Sequence, residues 1–481
     1  MIGAVAVTMI AMTYAELGAM FPESGGMVRY GQYSHGSLVG FVAAWSNWIA
    51  IASVIPVEAE ASVQYMAGWD WQWAKDLYAH APDGRGELTP PGLGIAAALV
   101  IVYFLLNFWS VRLFARSNTA ITVFKLVVPA LAGITLIASG FHAGNFHVGV
   151  DGGVHIVDFA AVLNAVATAG IIFSFNGFQT PVNLAGEAHN PGRNVPLAIF
   201  GAIVLSTIIY LLLQTAYLGA VPPELLAKSG WHGIDFSSPF ADLAKLLGIF
   251  WLANLLFFDA FISPSGTGIT YTASTARMIY GMQKNGTMPA MFGKVHPVWG
   301  VPRPAMWFNL AVAFVFLFFF RGWGTLAAVI SVATIISYLT GPISAMTLRR
   351  TAPALARPLR MPALPVFACL AFVISTELLY WAKWPLTGEI ILLIVVALPI
   401  YFYYQARNGW RDFGRQLRGA SWLMAYLPTI AFLSCIGSSK FGGHDYIPYG
   451  WDLVVVALVS LVFYAWGLRC GWRTPDVANM R

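Results

Sequence analysis

Apolar residues fall into thirteen long runs, near 1–21, 38–66, 92–111, 117–140, 159–186, 196–219, 243–275, 305–320, 324–347, 364–381, 387–404, 421–437 and 451–468. About 20 apolar residues cross a hydrocarbon core of about 30 Å as a helix. Runs of this kind, joined by short polar links rich in Gly and Pro, predict a bundle of transmembrane helices that satisfy their own backbone groups. No link is long enough for a soluble domain. The first run lacks a basic leader and carries Tyr14 and Glu16, unlike a cleaved signal peptide.

Composition narrows the class. Of 481 residues, 58% are apolar and 10% charged, whereas soluble domains carry about 25% charge. This excludes a soluble enzyme, a nucleic-acid binder and a disordered chain. Cys369, Cys435 and Cys470 show no metal-ligand spacing and no disulfide framework.

Basic residues mark the cytoplasmic side of a membrane protein. One set of alternate links holds Arg29, Arg112, Arg116, Arg193, Arg277, Lys284, Lys294, Arg303, Arg349, Arg350, Arg357, Arg360, Arg407, Arg411, Arg415, Arg418, Arg469, Arg473 and Arg481, 19 in all. The opposite set has 6: Lys75, Arg85, Lys228, Arg321, Lys383 and Lys440, with Lys125 and Lys245 assigned to spans. The alternation predicts a cytoplasmic C-terminus. Thirteen spans then place Met1 outside with no leader, which suggests a further helix ahead of it.

Polar groups at mid-membrane point to function. From Asp158 to Arg193 is 35 residues, roughly 53 Å as one helix, so this segment must break or turn. Ser174-Phe175-Asn176-Gly177-Phe178-Gln179-Thr180-Pro181-Val182-Asn183 is the natural place: Gly177 loosens the helix, Pro181 removes a donor, and the amides of Asn176, Gln179 and Asn183 supply hydrogen bonds. A substrate-facing break is the expectation; a proline-kinked packing helix is the competing reading. Lys125 lies nine residues beyond Arg116, about 14 Å deep, and an internal role is expected of it. Asp259 precedes the small-residue stretch Ser263–Gly268, which serves close helix packing as readily as a site. Glu58 and Glu60 project about 200° apart around one helix, so they do not share one cavity-facing stripe. Glu16, at a span end, reads as a solvated or loop-anchoring carboxylate. His142, His147 and His155 cluster in an outer loop at spacing too irregular to suggest a metal site.

Three motifs carry a resemblance. Tyr14 to Gly26 (YAELGAMFPESGG) is similar to the end of the second helix of amino acid–polyamine–organocation permeases. Gly186 to Pro196 (GEAHNPGRNVP) resembles the link after their broken sixth helix, and Ala276 to Met282 with Asn285 to Pro289 the link after their eighth. The resemblance covers residues 1–405 as a permease core. Residues 406–481 look like the extra helix pair of fourteen-helix members. It implies an all-α integral membrane protein with a five-plus-five inverted-repeat fold, the family's first helix missing and two helices added at the C-terminus. It further implies that Phe173, Ser174, Phe175, Asn176, Gly177, Phe178 and Gln179 contact substrate. Lys125 resembles a lysine that takes the place of a sodium ion in sodium-independent members, tying helix one to helix eight. Asp259, Ser263, Glu58 and Glu60 join it as candidate coupling residues.

The expected function is secondary active transport of an amino acid by proton symport with alternating access. Aspartate is the narrower expectation, from the wording around Phe178–Asn183 and Phe258–Gly266. The proton would be the coupling ion, with no cofactor or metal. The expected partners are the amino acid and the lipid bilayer, with no nucleic acid; oligomeric state is left open. An exchanger, a polyamine permease, a membrane sensor and an inert truncated chain are the alternatives. A membrane enzyme lacks support, since no nucleophile–base pair converges at one depth.

Overall fold

The computed structural model describes residues 1–23, 25–80, 86–109, 111–149, 158–234, 236 and 238–480. The described residues are mostly helical, and the strands among them form one short antiparallel hairpin, β1 (Tyr78–His80) and β2 (Gly86–Leu88), in which Tyr78 faces Leu88. The helices that matter here are α1 (Ile2–Met20), α2 (Gly26–His35), α3 (Ser37–Ala52), α4 (Val54–Met66), α5 (Pro90–Trp109), α6 (Val111–Ser139), α7 (Phe159–Thr168) and α8 (Pro191–Ala220). They continue as α9 (Phe250–Lys284), α10 (Arg303–Phe319), α11 (Trp323–Tyr338), α12 (Thr340–Thr351), α13 (Leu364–Trp381), α14 (Leu386–Val395), α15 (Leu398–Arg407), α16 (Phe413–Ile436) and α17 (Trp451–Cys470).

Ten stretches among the described residues are helical, long and apolar enough to cross a membrane. The other three expected runs differ for physical reasons. Run 159–186 is not one helix. α9 is long, at 35 residues, but Asn254, Asp259, Ser263, Ser265 and Thr267 dilute the apolar residues of its first half. α10 has 17 residues, slightly short of a straight crossing. The run expected to begin at 243 begins instead at Phe250, because Gly248 turns the chain at φ 75° after the short helix Pro239–Leu246. Lys245 therefore lies outside the span. It donates to the Gly68 carbonyl at 3.1 Å and pairs with Asp70 at 3.4 Å, which adds it to the Lys75 side of the charge distribution.

The two central stretches, α3–α4 and α11–α12, are buried along nearly their whole length. They pack α11 on α3, while α9 lies along α4. Outer helices show the reverse. On α8, Val204, Ile208 and Leu211 form an exposed apolar stripe at helical spacing, which suits lipid contact. Buried hydroxyls do not break the central helices, because they bond one turn back: Ser46 to Val42 O, Ser53 to Ile49 O and Ser331 to Ala327 O.

Two polar anchors fix the ends of the bundle. Glu16 is only 2% exposed, so it is a loop anchor and not a solvated group. Arg349 grips it through Nε at 2.7 Å and Nη2 at 2.5 Å, and the Met361 N–H donates to it at 2.8 Å. This joins α1 to the end of α12 and to the following link. The C-terminal pair is held in the same way. α17 packs on α13 and α16, His35 Nε2 bonds the Gly467 carbonyl at 2.9 Å, and Trp472 donates to the His35 carbonyl at 3.0 Å.

Candidate functional site

The segment after α7 comes apart over several residues. Asp158 caps α7 by accepting from the Ala160 N–H at 3.0 Å. The helix stops at Ala169, and Gly170 reverses the backbone at φ 87°. One turn, Ile171–Ser174, precedes a non-helical stretch through Gln179, and one further turn, Thr180–Asn183, follows. Within the stretch Gly177 has φ 118°, a conformation that side chains rarely adopt. A Cβ there would also meet Tyr271 Oη at 3.2 Å. The length mismatch in the sequence is thus resolved by a true break and not by a kinked rod.

The expected contact residues divide in two. Gln179 is 1% exposed, and its amide is occupied: Oε1 accepts from the Gly177 N–H at 2.9 Å and from the Tyr338 hydroxyl at 3.0 Å, while Nε2 donates to Asn176 Oδ1. Phe178 packs between Tyr14 and Tyr338, with ring centroids 6.5 and 5.1 Å away. These two residues hold the break in shape. Ser174 and Phe175 instead line a cavity of about 350 Å³ with Gly170, Thr207, Tyr210 and Gln214. Tyr210 donates to the Ser174 carbonyl at 2.6 Å and packs its ring on Phe175. Phe173 packs against Trp323. Asn176 Nδ2 and Asn183 Oδ1 are buried without hydrogen-bond partners. An orphaned buried amide is costly, so Asn176 offers a donor to whatever enters beside it.

The candidate coupling residues form a second cluster, on α4, α6 and α9. Lys125 is midway along α6 and donates through Nζ to Thr267 Oγ1 on α9. Gly266 permits this approach, since a Cβ there would be 3.6 Å from Lys125 Cε and 2.7 Å from Ile121. Glu58 and Asp259 are the carboxylates whose charge bears on Lys125. Neither forms an ion pair with it among the described residues. Ser263 donates to Asp259, and both line an apolar cavity of about 230 Å³ with Tyr65, Pro129 and Pro264. Glu60 stands apart. It is 1% exposed and neither carboxylate oxygen has a partner. The two glutamates therefore have different surroundings, as their angular separation implies. Among the described residues no group of three or more His, Cys, Asp or Glu side chains could hold a metal ion, and His155 lies outside those residues.

Sequence reasoning missed Tyr14, Tyr210, Tyr271 and Tyr338 around the break, and Thr267 opposite Lys125. Nothing in the spacing of aromatic residues within apolar helices distinguishes a cavity wall from a lipid-facing surface.

A bundle of apolar helices long enough to span a membrane, with an unwound segment beside a cavity open at its side, is the architecture of a multi-pass membrane protein. The model of the amino acid permease family matches residues 1–409, and the chain belongs to that family, within the amino acid–polyamine–organocation superfamily. It is 56% identical over 482 residues to the glutamate/serine transporter AimA of Bacillus subtilis (strain 168), covering 100% of this chain and 88% of that protein. It is 36% identical over 475 residues to the aspartate-proton symporter of the same organism, covering 98% and 89%. A more distant relative is the polyamine transporter PUT1 of Oryza sativa subsp. japonica, 27% identical over 299 residues, or 62% of this chain and 51% of that one. The protein is an amino acid permease and not an enzyme.

Proposed function

We propose that this permease carries an acidic amino acid, glutamate or aspartate, into the cell together with a proton. The observation that carries this reading is the unwound stretch Phe175–Gln179, braced by Tyr338 and Tyr210 beside the cavity at Ser174 and Phe175. Bared backbone and a free Asn176 donor at such a break suit the charged groups of an amino acid. The relatives named for glutamate/serine and for aspartate-proton transport support an acidic substrate, with serine as a further candidate.

Proton coupling falls to the second cluster. Lys125 bonds α9 through Thr267 and has Glu58 and Asp259 within electrostatic range. A change of charge at any of the three alters the balance that ties α6 to α9. Because α9 also lies along α4 and brings Tyr271 to the break, that change bears on the helices around substrate. Ionisable groups inside a membrane typically serve this purpose.

The test is uptake into proteoliposomes that trap a pH-sensitive dye. Labelled glutamate, aspartate and serine are offered at equal concentration under an inward proton gradient. Accumulation of an acidic amino acid with internal acidification supports the proposal. Exchange that needs a trapped amino acid, without acidification, replaces symport by antiport. A preference for serine alone removes the acidic substrate.

A further inference from the structure

Away from both clusters, a cavity of about 550 Å³ opens where the end of α9, the start of α3, the end of α15 and the start of α16 meet. Its volume is that of a small-molecule site. Arg407 and Arg411 line it with Asn285, Gln405, Asn408 and Gln416, and no carboxylate lines it. Neither arginine has an acidic partner among the described residues. The link between α15 and α16 turns sharply through Gly409, Trp410 and Asp412, all at positive φ, and so carries Arg411 back over the opening. Gln405 Nε2 and Gln416 Nε2 both donate to the Arg411 carbonyl, at 3.0 and 3.2 Å, which fixes that loop.

The pocket also contains an unmet acceptor. Asn285 Oδ1, just beyond the end of α9, is buried with no hydrogen-bond partner. A ligand that completes this site must bring negative charge for the two guanidinium groups and a hydroxyl donor for Asn285. We propose that this pocket binds a phosphate group that carries a neighbouring hydroxyl. Arg is suited to phosphate by its planar fork of donors. The same chemistry occurs in an anionic lipid headgroup such as phosphatidylglycerol and in a free phosphorylated polyol. Both are at hand if these links face the cytoplasm, as the charge distribution implies, and basic pockets between helices on that face bind anionic lipid. The ligand bridges α9, which carries Thr267 and Asp259, to the C-terminal helices, so its occupancy stabilises the bundle against thermal unfolding.

The full chain, purified in a neutral detergent, is melted with phosphatidylglycerol, phosphatidylcholine or glycerol 3-phosphate, alongside the exposed double variant Arg407→Gln/Arg411→Gln and the variant Asn285→Ala. Phosphatidylglycerol is expected to raise Tm by several degrees and phosphatidylcholine to leave it unchanged. The double variant should lose at least half of the rise, and Asn285→Ala a smaller part. A rise with glycerol 3-phosphate equal to that with phosphatidylglycerol assigns the site to a soluble phosphate; a rise with the lipid alone assigns it to the headgroup. The proposal is overturned if neither phosphate-bearing probe raises Tm, or if the rise is undiminished in the double variant.

Discussion

The Tyr338 hydroxyl donates to Gln179 Oε1 at 3.0 Å, across 159 residues of sequence, and so ties the last turn of α11 to the unwound segment. Gln179 in turn caps the Gly177 N–H and bonds Asn176. Removing the hydroxyl leaves a buried acceptor that keeps only the Gly177 N–H, at a cost of about 0.5–1.5 kcal/mol. Tyr338→Phe should therefore reduce amino acid uptake by roughly two- to tenfold while the protein still inserts and remains helical. Circular dichroism and uptake measured on one preparation check this.

Gly177 is held at φ 118° with Tyr271 Oη 3.2 Å from where a Cβ would sit. Gly177→Ala adds backbone strain of about 1–2 kcal/mol and a close contact. Uptake should fall severely with folding retained. Gly201, with open space around it on α8, provides the control, and Gly201→Ala should transport normally.

Lys125 carries the third expectation. Lys125→Ala removes the donor to Thr267 and the cation that, among the described residues, bears on Glu58 and Asp259. The pH dependence of uptake should disappear. Thr267→Val keeps the charge and should weaken transport without abolishing its pH response. Uptake between pH 5.5 and 8, a range chosen to span the usual titration of a tuned site, distinguishes the two variants.

Outside the spans, burial lowers the His35 imidazole from its usual 6.5 to about 4; the Gly467 carbonyl raises it and the Arg350 charge lowers it further. Between these values the unfolded chain binds more protons than the folded one. Stability therefore falls as pH drops from about 6.5 toward 4 and is unaffected by this group above 6.5, a difference on the order of 3 kcal/mol. Melting curves over that window should shift downward for the native chain. For His35→Gln the part of the shift due to this residue should vanish.

The Glu16 anchor gives the clearest stability expectation. Arg349→Ala leaves a carboxylate 2% exposed with its nearest remaining guanidinium, that of Arg357, at 3.9 Å. Breaking a buried pair this way costs about 3–5 kcal/mol. Tm should fall markedly, and Glu16→Gln in the same chain should recover part of the loss.

Much of this arrangement was legible because membrane interiors tolerate few polar groups. The break was visible as a run too long for one crossing with Gly177, Pro181 and three amides at its middle. Lys125 was visible by its depth. Three things were not. The hydrogen bonds of the Gln179 amide to Gly177 and to Tyr338, a partner in a distant helix, could not be read from spacing. Glu16 was placed by its position at a span end, which says nothing of Arg349, 333 residues away. The start of α9 was set too early because Leu243 to Phe250 is apolar enough to continue a span, and only the backbone at Gly248 shows the turn.

Access to the break is best measured by thiol labelling. With Cys369, Cys435 and Cys470 replaced by alanine, Ser174→Cys places a single thiol on the cavity wall. A water-soluble maleimide should label it, and the transported amino acid should slow that labelling in proportion to its occupancy. A thiol that stays unlabelled, or that labels at one rate whether or not any amino acid is present, contradicts a substrate site at the unwound segment.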